Sequence, residues 1–128
     1  MTQDEAATHW QQRARSELKA ARVLFDMGDR DLYGEVLFHC HLALELALKS
    51  RYIREKDSAA PYTHDLNELA GSLRSVWTPG EQHVFENITG MGILSRYGDE
   101  EWYASNATKE KASECLQKAE ELISKIFS

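Results

Sequence analysis

The stretch LYGEVLFHCHLALELALKSRYI, residues 32–53, narrows the fold more than any other part of the chain. It reads as a helix over roughly Asp31 to Glu55 that is apolar on nearly every side. Such a helix is a central one, against which the others pack. No segment shows clean period-two alternation bounded by turns, whereas helical periodicity appears five times.

The first helix places Trp10, Ala14, Glu17, Leu18, Ala21, Leu24 and Phe25 on one face, with Gly28 as its stop. A third carries Leu66, Leu69, Ala70, Leu73, Val76 and Trp77 on one stripe. The fourth opens at Thr78-Pro79-Gly80-Glu81, a capping box with proline at the first helical position, and continues through Val84, Phe85, Ile88 and Met91. The last has the cleanest period, from Ala112, Cys115, Leu116 and Ala119 to Leu122, Ile123, Ile126 and Phe127, with Asn106 or Thr108 as its cap. Most connections are short. The expected fold is therefore all-α, an up-and-down antiparallel bundle of four to five helices formed as one domain over residues 1–128.

Charge and composition remove several function classes. A net charge of −6 with no basic run argues against polynucleotide binding, because that affinity comes from lysines and arginines displacing counterions. A local basic pocket for one nucleotide stays open. The N-terminal residues lack the apolar core of a signal peptide, and no run approaches a membrane span, so a cytoplasmic, membrane-free protein is expected. Cys40 and Cys115 fall among apolar residues at helical spacing and read as small core residues.

Polar residues on the central helix draw the eye to function. His41, Glu45 and Lys49 follow one another at four-residue intervals, and Glu45 before Lys49 is the favourable order for an ion pair. The stripe is either a solvated edge or a polar seam facing a cleft or a partner chain. With His9, His39, His64 and His83 scattered singly or turned to other faces, no metal site is expected. In Pro61-Tyr62-Thr63-His64-Asp65-Leu66, Thr63 or Asp65 can cap the third helix, and Asp65 also opposes its dipole. Capping does not require His64.

The stretch GILSRYGDEEWYASN, residues 92–106, reads as a loop loaded with Arg96, Tyr97, Asp99, Trp102 and Tyr103. Trp102 and Tyr103 suit packing over helix ends, each with a polar atom to satisfy. Arg96 has two readings: an Arg96–Asp99 pair locking the loop, or a guanidinium that joins Lys49 or His64 around a phosphate or carboxylate. The chain contains no phosphate-cradling glycine loop, no Gly-x-Ser-x-Gly elbow and no HExxH pair, and calls for no cofactor.

Three of these segments resemble one family. HLALELALKSRY is similar to the Glu-x-x-x-Lys signature of HEPN domains, YTHDLNEL to the start of their third helix, and SRYGDEEWY to their Arg-Tyr-Pro-Asp segment, with Gly98 where proline is usual. The resemblance spans nearly the whole chain. It implies an antiparallel bundle, commonly dimeric, in a family whose bacterial members often act with a minimal nucleotidyltransferase. Other branches are RNA-cleaving toxins that carry Arg-x-x-x-x-His.

That nuclease pattern is missing. Five residues after Arg96 stands Glu101, and five before the histidines stand Asp4, Gly34, Val36, Ala59 and Thr78. The expected function is a non-catalytic, self-associating bundle that binds a nucleotidyltransferase, a small nucleotide, or both. A diverged ribonuclease and a ligand-free oligomeric scaffold are the alternatives. Lys49, His64 and Arg96 are the expected ligand-binding residues, supported by His41, Glu45, Asp65, Tyr97, Asp99 and Tyr103. A homodimer is expected because a helix apolar all round asks for more cover than four short neighbours give.

Overall fold

A computed structural model describes residues 1–128. It contains α1 (Gln3–Asp26), a 3-10 turn (Arg30–Leu32), α2 (Tyr33–Lys56), α3 (Leu66–Gly71), α4 (Pro79–Tyr97), α5 (Glu100–Asn106) and α6 (Lys109–Ile126), with no strand. None of the helices is long and apolar enough to cross a membrane.

The α1–α2 hairpin is antiparallel, and its register can be read from cross-links. Arg54 near the end of α2 bonds Asp4 at the start of α1 at 2.7 Å, the Ser50 hydroxyl donates to the Ala7 carbonyl at 2.6 Å, and His39 meets Glu17. Ala7, Ala14 and Ala21 are fully buried along the seam. Their seven-residue spacing and small side chains let the two helices approach closely, as at a coiled-coil interface. Thr2 caps α1 by accepting from the Glu5 amide, and Gly28 at φ +68° ends it in the left-handed conformation glycine adopts without strain.

The α2 helix sits in the middle, flanked by α1, α3, α4 and α6. Its Val36, Leu37, Cys40, Leu44, Ala47 and Leu48 are wholly buried. No large apolar residue of α2 is exposed; the exposed ones lie elsewhere, among them Val23, Val76, Ile93, Leu94 and Tyr97. The central helix is thus covered within one chain, and the expectation of a dimer drawn from α2 loses its premise.

Two local expectations are corrected. The third helix ends at Gly71 instead of running to Trp77. Beyond it the chain folds back in turns: Trp77 is buried and its indole N–H donates to the Ala70 carbonyl at 2.9 Å, whereas Val76 is 85% exposed. A compact turn buries Leu73 and Trp77 at the same spacing a helix would, which is why the stripe looked continuous. Residues 92–106 are not a loop either. They comprise the last turns of α4, a break at Gly98, and α5. Asp99 caps α5 by accepting from the Trp102 amide at 2.8 Å, and Glu100 and Glu101 lie in its first turn, where negative charge opposes the helix dipole. The capping box of α4 forms as expected from Thr78 and Glu81, and Thr108 rather than Asn106 caps α6.

Candidate functional site

Where α2 faces α4, a recess of about 260 Å³ opens beside the start of α3. His41 and Glu45 from α2, His64 from the segment before α3, and Arg96 and Tyr97 from the end of α4 line it. The packing that makes it depends on Gly92. A side chain there would place its Cβ 2.5 Å from Cβ and Nδ1 of His41, and nearer still to Cγ, so only glycine lets the imidazole lie against α4.

His41 and Glu45 are not a solvated edge; they are only 6% and 5% exposed. The His41 Nε2–H donates to the His64 backbone carbonyl at 2.9 Å. A carbonyl only accepts, so the neutral ring carries its proton on Nε2. Burial pushes the His41 imidazole below the ordinary histidine range, against the opposing pull of the His64 carbonyl and Glu45. At neutral pH it is uncharged.

Glu45 is the hub. Its Oε1 accepts from His64 Nδ1 at 2.8 Å and its Oε2 from Lys49 Nζ at 3.0 Å. Burial alone would raise this carboxyl, but the hydrogen bonds from His64 and Lys49 together outweigh it and hold Glu45 below the usual carboxylate range. With Glu45 ionised, His64 donates from Nδ1. Nε2 of the same ring, on a side chain 65% exposed, has no hydrogen-bond partner.

Arg96 is different. Its guanidinium lies 4.1 Å from the centroid of the Phe38 ring and meets no carboxylate within ion-pair distance. The Arg96–Asp99 pair, one of the two readings of this arginine, does not form; Asp99 Oδ1 instead accepts from the Trp102 amide as the α5 cap. A guanidinium stacked on an aromatic face keeps its edge donors available. Lys49 balances Glu45, so Arg96 supplies the uncompensated positive charge of the recess.

Of the residues singled out from the sequence, the recess gathers His41, Glu45, His64, Arg96 and Tyr97. Lys49 stands one step away, tied to Glu45 and 6.0 Å from the Tyr62 ring. Asp65 is a cap, accepting from the Asn67 and Glu68 amides. Tyr103 is turned elsewhere: its hydroxyl donates to the Ser95 carbonyl and its ring lies 3.1 Å from where a Cβ of Gly34 would be. It borders a wider depression of about 520 Å³, where Arg30 and Lys109 are offset by Asp31 and Glu35. Sequence reasoning missed Gly92 and Phe38. A glycine within a helical pattern is a sign of close approach, and Gly92 carried that signal.

Fold and site together define a helical bundle with a charged recess between its central helix and the helix that follows α3. No group of three His, Cys, Asp or Glu side chains gathers there or elsewhere as metal ligands. The chain belongs to the HEPN domain family, whose model matches residues 7–127. Its fold is similar to that of TT1696 from Thermus thermophilus, with a TM-score of 0.79, 20% identity and 94% of each chain covered. No curated protein matches it in sequence.

Proposed function

We propose that this protein is a non-catalytic HEPN bundle that holds the phosphate of a small nucleotide in the recess between α2 and α4. The carrying observation is Arg96, a guanidinium on the rim of the recess with no carboxylate partner. A guanidinium fork matches phosphate geometry, and short-range partners outweigh the −6 of the whole chain over a Debye length of about 8 Å. Lys49 supports the site from behind by neutralising Glu45, so that the anion does not face an uncompensated carboxylate. The lack of an Arg-x-x-x-x-His pattern supports binding without RNA cleavage.

Titration calorimetry against AMP, ATP and GTP tests this reading. Binding that weakens about tenfold or more in Arg96→Ala is expected, since a charge-assisted hydrogen bond contributes about 1.5–3 kcal/mol. If none of the three nucleotides binds at millimolar concentration, the recess is an internal ion-pair network and the reading fails.

A second observation favours self-association. Ile93, Leu94 and Tyr97 are exposed together on α4, next to the recess. That face would serve a second copy, or a minimal nucleotidyltransferase of the kind many HEPN proteins accompany. Sedimentation showing only a 14.6 kDa species at micromolar concentration removes the dimer.

A further inference from the structure

We infer that the depression beside the starts of α2 and α6 is a second binding site, which takes a zwitterion of amino-acid size. Its volume is about 520 Å³, and it shares no residue with the recess between α2 and α4. The inference therefore stands apart from the nucleotide reading above.

Tyr33 is the first pointer to a ligand. It opens α2 and packs its ring against Phe25, 6.0 Å between centroids, which leaves it only 7% exposed. A tyrosine so buried ordinarily finds a partner for its O–H. The hydroxyl of neighbouring Tyr103 does so at the Ser95 carbonyl, but that of Tyr33 makes no hydrogen bond. No fully enclosed side-chain polar atom of the protein lacks a partner, so the Tyr33 hydroxyl reaches open space. The open space that Tyr33 lines is this depression.

The charges are the second pointer. Arg30 and Lys109 line the depression together with Asp31 and Glu35. The two signs balance, yet none of the four forms an ion pair. Elsewhere the protein does pair charges across its helices, as in Arg22–Glu120, Arg54–Asp4 and Lys125–Glu81. Too far apart to satisfy one another, the four groups are available to a ligand that carries both signs. The start of α2 adds to the cationic side. Leu32 provides no side-chain cap, so the first amides of this 24-residue helix keep their positive potential.

This balance sets the class of ligand. A simple anion gains from Arg30 and Lys109 and loses to Asp31 and Glu35, and a simple cation meets the reverse. An α-amino acid carries a carboxylate and an ammonium on one carbon and gains from both pairs. Arg30, Lys109 and the Tyr33 hydroxyl are donors for the carboxylate; Asp31 and Glu35 are acceptors for the ammonium.

The test follows the backbone amides of Tyr33, Gly34, Glu35 and Lys109 in proton–nitrogen correlation spectra of the whole chain. Each common amino acid is titrated in turn to millimolar concentration, and at least one is expected to shift these amides saturably. Its carboxamide and its N-acetyl derivative, each left with a single charge, should bind at least about tenfold more weakly, the loss of one charge-assisted interaction. Arg30→Gln and Glu35→Gln, both at exposed positions, should weaken binding to a similar degree. Tyr33→Phe should weaken it about threefold to tenfold without lowering the denaturation midpoint, because the hydroxyl it removes bonds nothing in the fold. That variant separates binding from stability. The inference is overturned if no amino acid shifts these amides, or if the singly charged derivatives bind as well as the parent. It is equally overturned if Arg30→Gln and Glu35→Gln leave the affinity unchanged, or if AMP shifts the same amides at lower concentration than any amino acid, which would make the depression an anion site.

Discussion

Replacing Gly92 with alanine sets two known effects against each other. In a helix interior alanine is favoured over glycine by about 1 kcal/mol. Against that, the new methyl at Gly92 would lie 2.5 Å from Cβ and Nδ1 of His41, a buried ring anchored through Nε2. Real side chains do not tolerate such a distance, so either α4 moves away from α2 or His41 gives up its bond to the His64 carbonyl. Overpacking of this kind costs about 1–3 kcal/mol and the lost hydrogen bond about another 1. The net expectation is a loss of about 1–3 kcal/mol after the helical gain is subtracted. Gly90, on the same helix, meets nothing within 4 Å and is the internal control: Gly90→Ala should stabilise by about 0.5–1 kcal/mol. Urea denaturation of the two variants measures both. The reasoning fails if Gly92→Ala matches or exceeds the parent in stability while Gly90→Ala behaves as expected.

Burial keeps His41 below the ordinary histidine range, so the unfolded chain binds a proton below about pH 6.5 that the folded chain refuses. Stability is therefore full above that pH and falls as acid is added, and the slope between pH 7 and 5 should flatten in His41→Gln when denaturation midpoints are compared. Tyr103→Phe removes the hydroxyl that donates to the Ser95 carbonyl and should cost about 1 kcal/mol, or about 4 °C in thermal midpoint, whereas Tyr97→Phe, 79% exposed, should stay within about 0.5 kcal/mol.

The helices of this protein were legible where periodicity and capping agreed. The Thr78 box, the stop at Gly28 and the stripe of α6 each rest on local chemistry that tertiary contacts do not override. The α3 stripe misled because burial of Leu73 and Trp77 depends on Trp77 reaching back to Ala70, a contact that spacing alone does not distinguish from helix. Residues 92–106 misled in the other direction. Gly92 serves packing against His41 inside α4, and Asp99 with Glu100 and Glu101 is a helix start that a capping argument would have found. At the site, the Glu45–Lys49 pair was readable from four-residue spacing, and the Arg96 stack on Phe38 was not, since it joins two helices 58 positions apart in sequence, from 38 to 96. Whether Arg96 would find Asp99 depended on a competing role for that carboxylate.

The bond from His41 to residue 64 ends on the main chain, not on a side chain. Whatever amino acid occupies position 64 presents the same carbonyl, so the path of this segment is fixed independently of the chemistry it displays. Scaffold and reagent are separable at this point. Position 64 can thus change its side chain without re-engineering the bundle, so long as the new one still donates to the Glu45 carboxylate.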